Sequence, residues 1–339
     1  MIRLVLADLF QFLRRWMPYV LLLSLCLSVL ISIEFDCYQV KQLIDYGITY
    51  DDYIAALETG DSEALRVVLS SITYEDGSSS TWAVYMTAFD KVVLPHYIKT
   101  MFANFSGFSI SIDYIVLFFI ILAASFIGAE YQWGTVRQAL AKGIGRTPYF
   151  GSKYITLVIL AWLFVCGATL FVLIAGMVTT WLVTGGVSWD FISTDTAKYL
   201  LSSMALVTLI LLAYAMLTAL FSTLFKSAFT GMIAGVMYLQ MEDYLVWLAI
   251  SDSAFSMYNP LLDQWVTTAP PEWPAYTIGY NAQYLMAYIS PGLGESSTYL
   301  NQTLTNATQS VLVLAAYCVV FILVSYFIFR KQNLTSDQN

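Results

Sequence analysis

Apolar residues run along this chain in blocks long enough to cross a bilayer. A hydrocarbon core takes about 17–25 apolar residues per helix. Six stretches qualify: 17–33, 112–129, 154–183, 199–224, 228–250 and 311–329. The third must tilt, bend or project beyond the bilayer, because it is longer than a straight crossing needs. The fifth is interrupted by Glu242 and Asp243. Ahead of the first, Ile2, Val5, Leu6, Leu9, Phe10, Leu13 and Trp16 fall on one helical face, and Arg3, Asp8, Gln11, Arg14 and Arg15 on the other. That pattern predicts an interfacial amphipathic helix over 1–16, lying on the inner leaflet, with Pro18 opening the span behind it. No small-x-small cleavage site follows Ile33 and no lipobox precedes Cys26, so the segment does not read as a cleaved signal peptide.

Two long segments separate the spans on one side. Residues 34–111, with Asp113 just inside the next span, carry twelve acids. Ile54, Leu57, Leu65, Val68 and Leu69 predict two short helices, with Asp52 and Asp61 as N-caps. Trp82, Val84, Tyr85, Phe89 and Val92 predict a third amphipathic piece, so the segment reads as a small folded cap. Residues 251–308 are looser, with Pro270, Pro271 and Pro274 beside Trp265 and Trp273. Their IGYNAQYLMAYI run predicts a helix lying along the outer interface, where Tyr is favoured. The acids read either as a solvated surface or as an attractor of cationic peptides or metal ions; Asp51-Asp52 and Glu75-Asp76 lack calcium-loop spacing.

Charge supplies the orientation. An odd–even assignment puts 1–16, 130–153, 225–227 and 330–339 on one side, with ten of the fifteen Lys and Arg residues and three of the twenty-three acids. That side is cytoplasmic by the positive-inside rule, and both termini are inside. The net charge of −8 is then +7 inside and −15 outside, so it carries no message about nucleic acid. The 59% hydrophobic and 11% charged composition excludes an ordinary soluble domain.

Much chemistry is missing. The single histidine, His96, lies in an outer segment, which excludes a His–His zinc site, the HExxH pattern and a Ser–His dyad within a span. Cys26, Cys166 and Cys318 lie in spans and read as small hydrophobes; Cys37 is the only cysteine outside them. The sequons at Asn104, Asn301 and Asn306 read as chance matches. No Walker A sequence is present, so any driving ATPase is a separate chain. Glu242 and Asp243 are the ionisable pair within a span. They line an outer vestibule, or the helix breaks near Leu239 and leaves them wet. Gly231-Met-Ile-Ala-Gly235 is a close-packing pattern, serving either a dimer or pore-lining interface or packing within one subunit. Tyr214, Thr218 and Ser222 form a mildly polar stripe that reads as packing.

Residues 126–153, FIGAEYQWGTVRQALAKGIGRTPYFGSK, join the second and third spans. Thr135 and Gln138 fit a capping box, and Gly143 stands where a helix C′ glycine belongs. Between them Val136, Ala139 and Leu140 share one face, while Arg137, Gln138 and Lys142 point elsewhere. The order Glu130, Gly134, Thr135, Leu140, Gly143, Arg146, Lys153 resembles the first cytoplasmic loop of ABC-2-type permeases, the membrane subunits of ATP-binding-cassette exporters. Arg137 and Tyr149 fit a subgroup common in Gram-positive bacteria. Elsewhere the likeness is confined to the hydropathy outline, FSTLFKSA at 221–228 and FRKQ at 329–332.

The resemblance implies an all-α membrane protein and a transport subunit, not an enzyme, in a bacterial cell membrane. It implies cytoplasmic ATPase partners that hold the ATP and magnesium, no cofactor in this chain, and a second permease copy or paralogue. The coupling residues would be Glu130, Gly134, Thr135, Arg137, Leu140, Arg146 and Lys153, with Leu140 the anchor in an ATPase groove and Phe225 and Lys226 a second contact. Arg146 and Lys153 would pair with Glu130 or with lipid phosphates. A fifth span broken near its outer end is also implied. Aromatic, charge-poor spans favour an amphipathic or lipophilic cargo. Ion efflux and a channel or scaffold without an ATPase remain the alternatives.

Overall fold

The computed structural model describes residues 2–59, 67–73, 79–94, 97–100, 114–187, 189, 192–254, 257–259, 264–266, 271–289 and 304–332. Helices carry it. Helix α1 (Ile2–Leu13) precedes α2 (Met17–Asp45), which has Pro18 in its first turn as expected. The second and third long helices are α5 (Tyr114–Gln132) and α7 (Arg146–Thr184), joined through the short α6 (Thr135–Ala141). Then come α8 (Thr194–Phe225), α9 (Ala228–Ala254) and a last helix, α11 (Ala307–Lys331). Five of these, α2, α5, α7, α8 and α11, are long and apolar enough to cross a membrane; α9 is not among them. Helix α7 has 39 residues, about 58 Å at 1.5 Å per residue, so it outruns a hydrocarbon core of about 30 Å.

Helix α8 lies at the centre, packed against α5, α7, α9 and α11. Helix–helix approach is set by small residues. A Cβ on Gly128 of α5 would lie 2.2 Å from the Ala228 Cα of α9. One on Gly231 would lie 2.0 Å from Ser222 Oγ, and one on Gly235 would lie 2.6 Å from Thr218 Oγ1, both on α8. The glycine pair therefore packs α9 against α8 within one chain. The Thr218–Ser222 stripe faces that contact and is fully buried, as a packing stripe should be.

Several expectations need correction. The first span does not stop at Ile33. Leu21, Leu25, Val29, Ile33, Asp36, Val40 and Leu43 form one buried stripe at spacings of three and four, and the helix follows it to Asp45. Cys37 is therefore half-buried within α2, not in an outer loop. Helix α3 (Tyr50–Thr59) is present, but Asp52 is not its N-cap. Thr49 is: its Oγ1 accepts from the Asp52 N–H at 3.4 Å, and in return the Thr49 N–H and hydroxyl donate to Asp52 Oδ2 at 2.8 and 2.7 Å. These bonds hold the Asp52 carboxyl below its ordinary value. Asp61 and Leu65 lie outside the described residues. Val68 and Leu69 are in a strand, β1 (Val67–Thr73), paired antiparallel with β2 (Ser79–Tyr85) in the register Val67↔Tyr85 and Thr73↔Ser79. Val67, Val68, Ile72 and Thr73 are β-branched, and that preference prevails over a helical spacing too short to be diagnostic. A second hairpin, β3 (Met257–Asn259) with β4 (Gln264–Val266), also departs from an all-α fold.

The cap has a folded base. A 3₁₀ turn (Met86–Lys91) and the residues after it bury Phe89, Val92 and Val93 with Tyr53, Val40 and Leu43. The Thr179 hydroxyl donates to Val92 O at 2.8 Å, and Thr180 Oγ1 accepts from the Leu94 N–H at 2.9 Å, so the base is bolted to α7. In the short α4 (Tyr97–Thr100), Tyr97 lays its ring over Gly176 of α7.

On the same side, α9 runs unbroken through Leu239, so the expected break is absent. The IGYNAQYLMAYI run forms the expected helix, α10 (Ile278–Ile289), and it is wedged into the bundle. Eight of its twelve residues are buried, against α8, α9 and α11. Asn306 N-caps α11 through the Gln309 N–H at 2.9 Å.

Gly231→Ala should lower stability by about 1–3 kcal/mol, because the added methyl overpacks a helix contact. Gly186→Ala, where a Cβ meets open space, is the control. Thermal unfolding in detergent checks this: equal midpoints for the two variants would show that α8 and α9 are not in close contact.

Candidate functional site

The 130–153 segment is built by two backbone reversals. Gly134 takes a left-handed conformation, φ +67°, and turns the end of α5 into α6. Gly143, φ +83°, ends α6: its N–H donates to Leu140 O at 3.0 Å and the Ile144 N–H to Ala139 O at 3.3 Å. That pair of bonds is the Schellman closure expected of a C′ glycine. The capping box is not formed. Gly134, not Thr135, is the N-cap residue, and no side chain caps the helix.

Thr135 is used otherwise. Its hydroxyl is 2.8 Å from Glu130 Oε2 and 3.0 Å from Glu130 O. Tyr149 OH donates to the same Oε2 at 2.7 Å. Lys153 Nζ lies 3.2 Å from Glu130 Oε1 and 2.7 Å from Asp8 Oδ1. Ser152 Oγ reaches Asp8 Oδ2 at 3.4 Å. Glu130 and Lys153 are each 6% exposed. The ammonium also sits 5.4 Å from the Phe126 ring centre and 5.3 Å from that of Tyr149, within cation–π range. Burial pushes the Asp8 carboxyl above its ordinary value, against the pull of Lys153. The cavity beside this network, lined by Tyr131, Tyr154 and Thr223 among others, is about 20 Å³, too small for an organic cargo.

The structure brings Glu130, Thr135 and Lys153 together. It does not bring Arg146 to Glu130. The Arg146 guanidinium donates instead to Arg330 O at 2.6 Å and Gln332 O at 3.2 Å, closing the carbonyl end of α11. Leu140 faces inward with Val136 and Ala139 and is half-buried against the bundle core. The exposed face of α6 is Arg137, Gln138 and Lys142, next to an exposed Trp133 that carries the Arg15 guanidinium 4.5 Å above its ring. Phe225 is exposed and stacks on Phe221. Lys226, φ +53°, makes the left-handed turn from α8 into α9 at this same end, where Gln332 Nε2 donates to Thr223 O at 2.7 Å.

At the other end Glu242 and Asp243 join α9 to α10. Glu242 is 7% exposed, and its Oε2 lies 3.2 Å from where a Cβ on Gly279 would stand. Glycine there lets the carboxylate approach the first turn of α10, whose free peptide N–H groups favour negative charge. Asp243 Oδ1 accepts from Gln283 Nε2 at 2.7 Å. The cavity beside Asp243 is about 20 Å³.

Sequence reasoning missed Asp8, Tyr149 as a Glu130 ligand, and Ser152. It placed Asp8 on the solvent face of the interfacial helix. The available signal was that Asp8 is the only acid among residues 1–16, set between Val5 and Phe12 on a helical surface.

The fold and this buried network define a helical membrane protein. Residues 84–335 match a family described as a protein of unknown function, DUF2705, and the chain belongs to that family. Comparison with curated proteins finds no match.

Lys153→Met should cost about 3–5 kcal/mol, since it strands two buried carboxylates. Adding Asp8→Asn and Glu130→Gln should recover most of the loss, a strong departure from additivity. Denaturant unfolding of the single and triple variants in detergent measures it. An unchanged midpoint for Lys153→Met would mean that the three charges are hydrated.

Proposed function

We propose that the chain is the permease subunit of an ATP-driven ABC exporter in a bacterial cell membrane. It would work with two cytoplasmic ATPase subunits, which hold the ATP and magnesium, and with a second permease copy or paralogue. The observation that carries this reading is the Glu130–Gly134–Thr135–Leu140–Gly143–Arg146–Lys153 series on a helix end, a short helix and the next helix start. Three of its members share one buried hydrogen-bond network. A basic, exposed α6 face beside Trp133 suits a soluble partner docked at the membrane surface. Nucleotide-driven closure of the ATPases would press on α6 and reach α5 and α7 through Glu130, Thr135 and Lys153, biasing two packings of the bundle.

Helix α9 makes the sixth span in this reading, with 27 residues and no break. The Asp8–Lys153 and Arg146–Arg330 contacts hold α1 and the end of α11 at one end of the bundle with α6, in keeping with both termini inside. For cargo, an amphipathic or lipophilic compound or peptide fits the aromatic spans. An open groove of about 820 Å³ between α10 and α11, lined by Tyr284, Tyr288, Leu312 and Val313, is within the size range of small organic ligands.

Topology can be read with impermeant maleimide in a cysteine-free background. Tyr46→Cys, half exposed just beyond α2, should label in intact cells, and Gln138→Cys only after permeabilisation. Outside labelling of position 138 would reverse the orientation and remove the coupling role.

The function is tested by co-purifying the chain with the ATPase encoded beside it and measuring ATPase stimulation in proteoliposomes. Arg137→Glu with Lys142→Glu should cut stimulation by tenfold or more, about 2 kcal/mol for a central interface residue, while leaving thermal unfolding unchanged. Leu140→Asp should both uncouple and destabilise, because Leu140 packs on its own bundle. Full stimulation by the charge-reversed chain, or no ATPase partner at all, would favour a channel or scaffold.

A further inference from the structure

Helix α1 has three sides, not two. Val5, Asp8, Leu9 and Phe12 turn inward; Val5 is 8% and Phe12 3% exposed, and Phe12 meets Phe126 edge to face at 5.5 Å. Ile2, Leu6, Phe10 and Leu13 form a second, exposed side, and Trp16 beyond the helix end is also exposed. Arg3 and Gln11, with Arg14 one residue past the helix end where its N–H still bonds Phe10 O at 3.1 Å, make the third, also exposed. At 100° per residue Arg3 and Arg14 lie within about 20° of one another, roughly three turns apart along the axis. Asp8 is the only acid in residues 1–16, and it faces away from them, held by Lys153 at 2.7 Å. The outward polar side of α1 is therefore cationic without compensation from its own helix, and an apolar strip runs beside it.

We propose that α1 is a sensor of anionic phospholipid: Arg3 and Arg14 bind acidic headgroups, Ile2, Leu6 and Phe10 enter the acyl boundary, and the pose of α1 is relayed through Asp8 and Lys153 to Glu130 and α6. An amphipathic helix with arginines on its polar side binds in proportion to buried apolar area and surface charge. The occupant is a lipid surface because charge and apolar strip lie side by side along the same helix. A soluble anion would meet the arginines alone. The relay follows from a shared atom. Lys153 Nζ holds Asp8 of α1 and Glu130 of α5 together, and Glu130 in turn holds the Thr135 hydroxyl at the start of α6. Any tilt of α1 that moves Asp8 changes the field at Glu130. The inference needs only the chain in a bilayer, so failure of the ATPase reading leaves it standing.

The test is amide exchange of the full chain in nanodiscs of phosphatidylcholine alone or mixed with phosphatidylglycerol. Each arginine near an anionic surface is worth about fivefold in binding, so the pair should slow exchange of residues 2–13 by about twenty-five-fold in the anionic discs. Residues 135–146 should slow with them. Arg3→Gln with Arg14→Gln, both surface changes, should erase the difference at both places. Asp8→Asn should keep the response of α1 and lose that of 135–146. Equal protection in the two lipids, or a lipid difference that survives loss of both arginines, overturns the sensor. A response at 135–146 that survives Asp8→Asn overturns the relay.

Discussion

One ammonium group, held out of water between two carboxylates, organises this end of the molecule. Removing an ion from water costs several kcal/mol even after the protein relaxes. Lys153 offsets that cost with Asp8 and Glu130, and the carboxylates complete their bonding with Ser152, Thr135 and Tyr149. These groups come from four places along the chain: Asp8 from α1, Glu130 from the end of α5, Thr135 from the start of α6, and Tyr149, Ser152 and Lys153 from α7. The four elements cannot shift independently without exposing or stranding a charge. A buried network of this kind fixes relative position more strictly than apolar packing, which tolerates sliding.

The rest of the bundle is held by close approach. Lipid tails are as apolar as the side chains they would replace, so helices in a bilayer associate through packing and hydrogen bonds more than through exclusion from water. Gly128, Gly231 and Gly235 let α5, α8 and α9 come nearly to backbone contact, with Ser222 and Thr218 in the space a side chain would fill. At the other end α10 is wedged among α8, α9 and α11, and its fully buried Asn281 donates its amide to Ala275 O and Thr277 O at 2.9 and 2.6 Å. Glu242 and Asp243 belong to this wedge.

Helix α6 sits between these two kinds of constraint. Its inner face is gripped by the core through Val136, Ala139 and Leu140, its start by Glu130, and its exit by the Gly143 closure. Arg146, just beyond, is bonded to the carbonyl end of α11. A push on the exposed side, at Arg137 or Lys142, would thus be shared among α5, α7 and α11 instead of being absorbed by a loose loop. The proposed coupling role needs that stiffness.

The sequence by itself determined the long helices, the amphipathic α1, the Pro18 start, the Gly143 stop and the basic face of α6. These depend on local periodicity and on backbone preferences that a residue carries wherever it lies. It could not determine which apolar face of α1 would be buried against the bundle and which would stay exposed, since both are apolar. Nor could it show that Asp8 and not solvent would answer Lys153, that Thr135 would serve Glu130 instead of capping, or that Arg146 would close α11. Strand β1 was hidden by a few aliphatic residues whose spacing suits either structure. The unbroken α9 was hidden by two acids whose cost in a helix depends on what α10 brings to them. Asp8 and Lys153, and Arg146 and the end of α11, meet across 145 and 184 positions, whereas Thr135 answers a carboxylate only five positions back; in each case the free energy of the polar group is set by the partner the fold brings to it, which local periodicity does not encode.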